Sequence, residues 1–208
     1  MKSVLISIQP KWCELIASGK KTVEVRKTKP TGNIPFKCYI YCTKAKEHFS
    51  IGGGVYATSD TLYRLPTGEI KFGDGFELMG DWSGQYDESN FLNGKVIGEF
   101  VCDRVYDLKC LPNEYSGKPV GTYEQFICEN SCLSFDDIKA YGKGTSIYGW
   151  HITDLVVYDK PRELNEFKKP CNRSNDCCTC DRYDYIGHRC YDEITRPPQS
   201  WCYVEGAE

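Results

Sequence analysis

Residues 19–26, Gly19-Lys20-Lys21-Thr22-Val23-Glu24-Val25-Arg26, place two ammonium groups, one carboxylate and one guanidinium within eight positions. On an extended strand alternate side chains share a face. Thr22, Glu24 and Arg26 then point one way, and Val23 and Val25 point the other. The valines can enter a core while Glu24 and Arg26 project together at the surface or into a cleft. An arginine offers a planar fork that matches a phosphate or a base edge, and a glutamate can orient that fork. Lys21 falls just past an expected helix end, where the negative end of the helix dipole favours its charge. Lys20, Lys27 and Lys29 extend a positive field that would recruit a polyanion. The plainer alternative is a structural Glu24–Arg26 pair, which at an exposed position contributes little.

The second group of residues able to do chemistry lies in the tail, where Cys171, Cys177, Cys178, Cys180, Cys190 and Cys202 accompany His188. Cys177 and Cys180 form C-x-x-C, a spacing that lets two thiolates grip one tetrahedral Zn²⁺. Cys171 and Cys190 are the simplest completing pair. Cys202 can replace either, and Cys178 and His188 are further alternatives. A polar segment with few apolar residues needs such a staple to fold. Buried reduced thiols are the competing reading. The remaining seven cysteines (Cys13, Cys38, Cys42, Cys102, Cys110, Cys128 and Cys132) are scattered and read as small buried hydrophobes.

The elements that must position these groups are legible from patterning. Val4-Leu5-Ile6 with Ile8 reads as a buried strand, and Pro10 suits the first turn of a helix. Trp12, Leu15 and Ile16 recur at helical spacing, and Gly19 accepts the left-handed backbone that ends a helix. Thr22–Arg26 and Phe36–Thr43 follow as strands. Residues 44–95 read as an irregular, Gly- and Asp-rich insertion. Within it, Leu62–Leu65 and Ile70–Phe72 flank a Pro66-Thr67-Gly68 turn as a hairpin. Lys95–Tyr106 and Tyr148–Tyr158 are each expected to be one long strand. Between them, Thr122–Tyr141 holds one or two helices, with Ser134 as an N-cap and Gly142 and Gly144 as stops.

A chain of 208 residues suits one domain with an extension. Its net charge of -3 hides an asymmetry: residues 1–46 carry ten Lys or Arg against two Glu, whereas residues 47–100 carry three basic and nine acidic residues. A basic block in an acidic chain points to a local anion site and not to a surface that coats DNA. The N-terminal apolar stretch is too short for a signal peptide or a membrane span. The expectation is a cytoplasmic protein with no membrane partner, whose thiols stay reduced.

Gly19, Lys21, Glu24 and Arg26 fit the pattern Gly-x-Lys-x-x-Glu-x-Arg, and the segment follows a strand and a Pro-initiated helix. In this it resembles the ASCH domain family. The stretches Gly94–Val105 and Tyr148–Pro161 are similar to family strands as well. The resemblance implies an α+β fold, a PUA-like mixed β-barrel with flanking helices, over residues 1–165. Residues 166–208 would be a Cys-rich, zinc-binding extension of the kind that resembles phage and prophage members. The implied function is binding of RNA or a modified nucleotide in a basic cleft lined by Lys20, Lys21, Glu24 and Arg26. Trp12 and Trp150 are the candidates to stack on a base, core packing being the competing role of each. Some relatives are hydrolases, acting as N4-acetylcytidine amidohydrolases or as ribonucleases. Lys21 and Glu24 would then be the catalytic groups. Glu24 stands where the amidohydrolases have a threonine, which argues against the same chemistry. A protein-interaction module, in which the motif is structural, is the third reading.

Protein purified without chelator is expected to carry about one equivalent of zinc. Metal analysis giving less than about half an equivalent, with freely titrating thiols, removes the zinc staple.

Overall fold

The N-terminal strands form where apolar and β-branched residues predict them in the computed structural model, which describes residues 3–44, 49–51, 54–56, 60–73, 90–108, 122–170 and 191–205. In chain order the first elements are β1 (Ser3–Ile8), α1 (Pro10–Ala17), β2 (Val23–Arg26) and β3 (Phe36–Cys42). Short strands β4 (Phe49–Ile51), β5 (Gly54–Tyr56), β6 (Leu62–Arg64) and β7 (Ile70–Phe72) follow. Then come β8 (Val96–Cys102), β9 (Val105–Asp107), α2 (Thr122–Ser131), α3 (Phe135–Gly142), β10 (Tyr148–His151) and β11 (Thr153–Arg162). The last strands are β12 (Lys168–Pro170), β13 (Tyr191–Glu193) and β14 (Trp201–Val204).

The large sheet has the order β11-β8-β3-β1-β14. β1 and β3 run parallel in the register Ser3↔Lys37 to Ile8↔Cys42, and the other neighbours are antiparallel. β1 is buried along its whole length, as expected of a strand covered on both faces. Its period of two separates two cores. Val4, Ile6 and Ile8 join Cys38 and Ile40 in the main cluster. Leu5 joins Tyr39, Tyr41, Phe167 and Ile194 on the opposite side. The small sheet, β2-β10-β9, faces the main cluster through Trp150, which meets Phe36 of β3 edge-on at 5.3 Å. Its other face, Val23 and Val25, packs with Ile127 of α2 and Ile138 of α3.

Each of the two long strands expected from the sequence is two strands in different sheets. β8 lies in the large sheet and β9 in the small one, with Asp103-Arg104 between them. β10 lies in the small sheet and β11 in the large one, with Ile152 between them. The two breaks coincide in space. The His151 backbone N–H donates to Arg104 O at 2.9 Å, and His151 Nδ1 is 2.6 Å from Asp103 Oδ1. Ile152 N–H donates to Thr22 O at 2.8 Å, which holds the corner against the start of β2. Strands that switch sheets at a bend make such corners. The closed barrel expected from the sequence is therefore corrected. Among the described residues, the two sheets have no strand in common; the chain passes between them at one corner, and no ladder closes them into a ring.

Residues 62–72 form the expected hairpin. Leu65 N–H donates to Glu69 O at 2.8 Å, and Gly68 takes φ +87° in the turn. Leu62 and Ile70 deliver it to the main cluster. α2 and α3 are separate helices. Ser134 caps α3 in a reciprocal capping box with Asp137, and Lys143 in the left-handed region ends it. In the tail, β14 pairs with β1 as an edge strand of the large sheet, in the register Ser3↔Val204 to Ile6↔Trp201. Trp201 packs on Trp150 with centroids 5.9 Å apart. Cys171, Cys177, Cys178, Cys180, His188 and Cys190 lie outside the described residues, and Cys202 is a half-buried free thiol on β14. Cys13, Cys38, Cys42 and Cys102 are buried free thiols. Among the described residues no group of three or more His, Cys, Asp or Glu could hold a metal ion, and no helix is long and apolar enough to cross a membrane.

On the outer face of the large sheet, Lys37 Nζ and Tyr158 Oη donate to the two oxygens of Glu99 at 2.7 and 2.6 Å. Burial alone would raise the Glu99 pKa; the hydrogen bonds from Lys37 and Tyr158 outweigh it and hold the carboxyl below its ordinary range. A carboxyl depressed in the folded state gives stability that is present above its unfolded pKa and is lost as pH falls through the folded one. Glu99→Gln is expected to flatten the loss of urea stability between about pH 5 and pH 3. An unchanged acid limb in a pH series of unfolding midpoints would refute this.

Candidate functional site

The Gly19–Arg26 segment enters the site from the end of α1. Ser18 N–H donates to Glu14 O, Gly19 N–H to Ile16 O and Lys21 N–H to Leu15 O, each at 2.9 Å. Gly19 takes φ +73°, a backbone that costs a residue without a Cβ nothing. The chain then turns into β2, whose register with β10 places Glu24 opposite Trp150 and Arg26 opposite Tyr148. Directly opposed residues share a face. Glu24 and Arg26 therefore look into the space between the two sheets, while Val23 and Val25 pack under the helices.

All three charged residues of the motif are almost covered: Lys21 is 2% exposed, Glu24 5% and Arg26 9%. Arg26 Nη2 lies 2.9 Å from Glu24 Oε1 and also donates to Ser7 O of β1 at 2.7 Å. Lys21 Nζ donates to Ser131 O, at the C-terminus of α2, at 2.7 Å. Its second charge partner is Glu24 Oε2 at 3.4 Å, an ion pair without hydrogen-bond geometry. Lys21 Nζ also stands 5.1 Å from the centroid of the Trp12 ring. A cation at a helix C-terminus interacts favourably with the dipole, and the helix concerned is α2, not the α1 that the sequence points to. Among the described residues three buried donor and acceptor atoms are without a hydrogen-bond partner here, Arg26 Nε, Glu24 Oε2 and, beneath them, Trp150 Nε1. Buried polar groups are seldom left so.

The trio is not sealed. A pocket of about 250 Å³ opens onto it, lined by the end of β1 (Ser7, Ile8), Gln9, Trp12 of α1, the β2 residues and one face of α3 with its approach. That last wall is Leu133, Asp137 and Tyr141, which follow one another at i, i+4 spacing. Tyr141 is 39% exposed at the rim. Hydrogen bonds from Ser134 hold the Asp137 carboxyl below its usual range.

The structure brings together Trp12, Lys21, Glu24 and Arg26 of the residues singled out in the sequence. Lys20 is exposed and does not line the pocket. Trp150 is a correction. It is 0% exposed in the core between Phe36 and Trp201, and so offers no face to a base. Its opposition to Glu24 across the ladder places it beneath the site as a floor. His151, its neighbour, sits at the outer corner with Asp103. The wall from α3 was not found by sequence reasoning. The spacing of Leu133, Asp137 and Tyr141 marks one helical face, but nothing local says that this face turns to β2.

No protein-family profile matches the chain, and no curated protein sequence is similar to it. Among solved structures the chain is similar to the ASCH protein of Zymomonas mobilis, with a TM-score of 0.45 and 18% identity over 98% of this chain and 88% of that chain. A Tyr-to-Phe mutant of the same protein gives a TM-score of 0.45 with 17% identity, covering 99% and 91% of the two chains. A Ser-to-Ala mutant gives 0.43 with 18% identity, covering 98% and 89%. The structural neighbours are thus ASCH proteins, at low identity and over nearly the whole chain.

Glu24→Ala would leave two buried cations facing one another without their carboxylate. Breaking a buried ion pair from one side costs roughly 3–5 kcal/mol. The variant is expected to lose stability on that scale in urea unfolding. A loss below about 1 kcal/mol, the scale of a solvated pair, would show that the trio is not the buried network described.

Proposed function

We propose that the chain is an ASCH-type module of the PUA-like class that binds RNA or a modified nucleotide, with the base held in the pocket above Glu24 and Arg26. The observation that carries this is the pair of unsatisfied atoms, Glu24 Oε2 and Arg26 Nε, in residues that line a pocket of about 250 Å³. One is an acceptor and the other a donor, on two side chains that form one ion pair. Such a pair would complement the edge of a base that carries an amino group next to a ring nitrogen or carbonyl. The pocket is small and walled by α1, β2 and α3, which suits a single unstacked base and excludes a duplex. Trp12 and Tyr141 supply aromatic surface on opposite elements, and a base has a π-face for either. The trio carries two formal cations against one carboxylate, so an anionic ligand meets a favourable field.

Lys21 is engaged by Ser131 O, Glu24 and Trp12. That engagement favours a holding role over a mobile acid or base, and binding is therefore the leading reading over hydrolysis. The zinc staple of the tail is proposed alongside it, on cysteine spacing alone.

Titration of the pure protein with the four ribonucleoside monophosphates and with N4-acetylcytidine, read by Trp fluorescence and calorimetry, tests the proposal. At least one is expected to bind saturably. Glu24→Gln and Arg26→Met, checked for retained fold by circular dichroism, are expected to weaken it about tenfold or more, the loss of one charge-assisted hydrogen bond. No binding at millimolar concentration by any of these ligands would overturn it. Product formation that disappears in Lys21→Ala or Glu24→Ala would replace binding by hydrolysis.

A further inference from the structure

Beyond the pocket, the chain leaving β2 carries a row of lysines set against aromatic rings. Lys27 Nζ lies 5.0 Å from the centroid of Tyr141, and Lys29 Nζ lies 5.1 Å from that of Tyr148. Both lysines are exposed, and Tyr148 is half-buried. Tyr141 lines the pocket itself, and Tyr148 stands opposite Arg26 on the neighbouring strand. The two pairs therefore start at the pocket rim and lead away from it.

The loop that carries these lysines is held in place by the last strand. Trp201 Nε1 donates to Thr28 Oγ1 at 2.9 Å. Thr31 N–H donates to Tyr203 Oη at 2.7 Å, and that hydroxyl lies 3.1 Å from Thr31 O. Thr28 is thus tied to β14 between two lysines whose side chains, among the described residues, meet only rings. A cation over an exposed ring contributes little to folding. An ammonium over an aromatic face, repeated along a chain, suits a single strand, whose phosphate can draw the ammonium off and leave the ring to a base.

We propose that the nucleotide in the pocket is one residue of a single-stranded nucleic acid, and that its neighbours run along a track made by Lys27 with Tyr141 and Lys29 with Tyr148, which β14 holds in position. The proposal rests on the reading of the pocket as a nucleotide site. It adds a second contact surface and makes the polymer, not the free nucleotide, the preferred ligand.

The test compares a mononucleotide with five-residue RNA and DNA oligomers of the same base, on the full chain, across a salt series. The wild type is expected to bind the oligomer at least tenfold more tightly, the scale of one added base stack. The double variant Lys27→Ala/Lys29→Ala should remove most of that gain. It should also reduce the slope of log affinity against log salt by about 1.4, the value for two phosphate contacts on a single strand. Mononucleotide affinity should stay unchanged. Trp201→Phe keeps an aromatic ring at the position, removes the indole N–H donor, and should weaken only binding of the oligomer. Oligomer affinity and salt slope that both survive the double variant, with mononucleotide binding intact, would overturn the track and leave the pocket standing. Oligomer binding that depends on the two lysines with no mononucleotide binding would keep the track and remove the pocket as the base site. Equal binding of RNA and DNA would identify shared backbone and stacking chemistry; a preference for RNA would identify a contact to the 2′-hydroxyl.

Discussion

One carboxylate, that of Glu24, joins three parts of the fold. Through Arg26 it is linked to the carbonyl of Ser7 on β1, and through Lys21 to the C-terminal carbonyl of α2. Taking charges out of water is costly, and apolar side chains of similar volume would commonly serve stability as well or better. An ionic trio held at this position is therefore explained poorly by stability, and the proposed ligand site that it faces would account for it. On the proposed reading, the pocket uses a donor and an acceptor fixed in its wall. Fixing them takes the same contacts that tie β2 to β1 and to α2. Fold and site are here the same set of bonds.

That economy explains which parts of the molecule could be read from the chain. Local chemistry was legible: Pro10 starts α1, Gly19 ends it, Ser134 caps α3, and the apolar run of β1 marks a buried strand. The Leu62–Phe72 hairpin was legible for the same reason, since its turn residues dictate its backbone. The corner was not. Lys95–Tyr106 and Tyr148–Tyr158 have unbroken strand patterns, and the bends at Asp103-Arg104 and Ile152 are imposed by bonds between them and to Thr22. No residue at those positions announces a break as glycine or proline would.

The site divides along the same line. Strand alternation put Glu24 and Arg26 on one face, and the ladder agrees. What alternation could not supply was depth. The same geometry that makes Glu24 a pocket residue makes Trp150, its cross-strand neighbour, a core residue. A tryptophan next to a functional motif reads as a stacking platform only while the sheet is imagined with solvent on that side. Here that side is the interior, and aromatic surface at the rim comes instead from Trp12 and Tyr141, on elements remote in sequence from each other.

The pairing of β14 with β1 brings Ser3 against Val204, almost the full length of the described chain apart. Contacts so distant form late, because the loop they close is long. Until Trp201–Val204 arrives, β1 is a bare sheet edge of the sequence Ser-Val-Leu-Ile-Ser-Ile, without charge or proline to blunt it. Unpaired edges of that composition recruit other strands. The closing strand is thus also a guard against self-association: a chain that lacks it presents a sticky β-edge to its own copies.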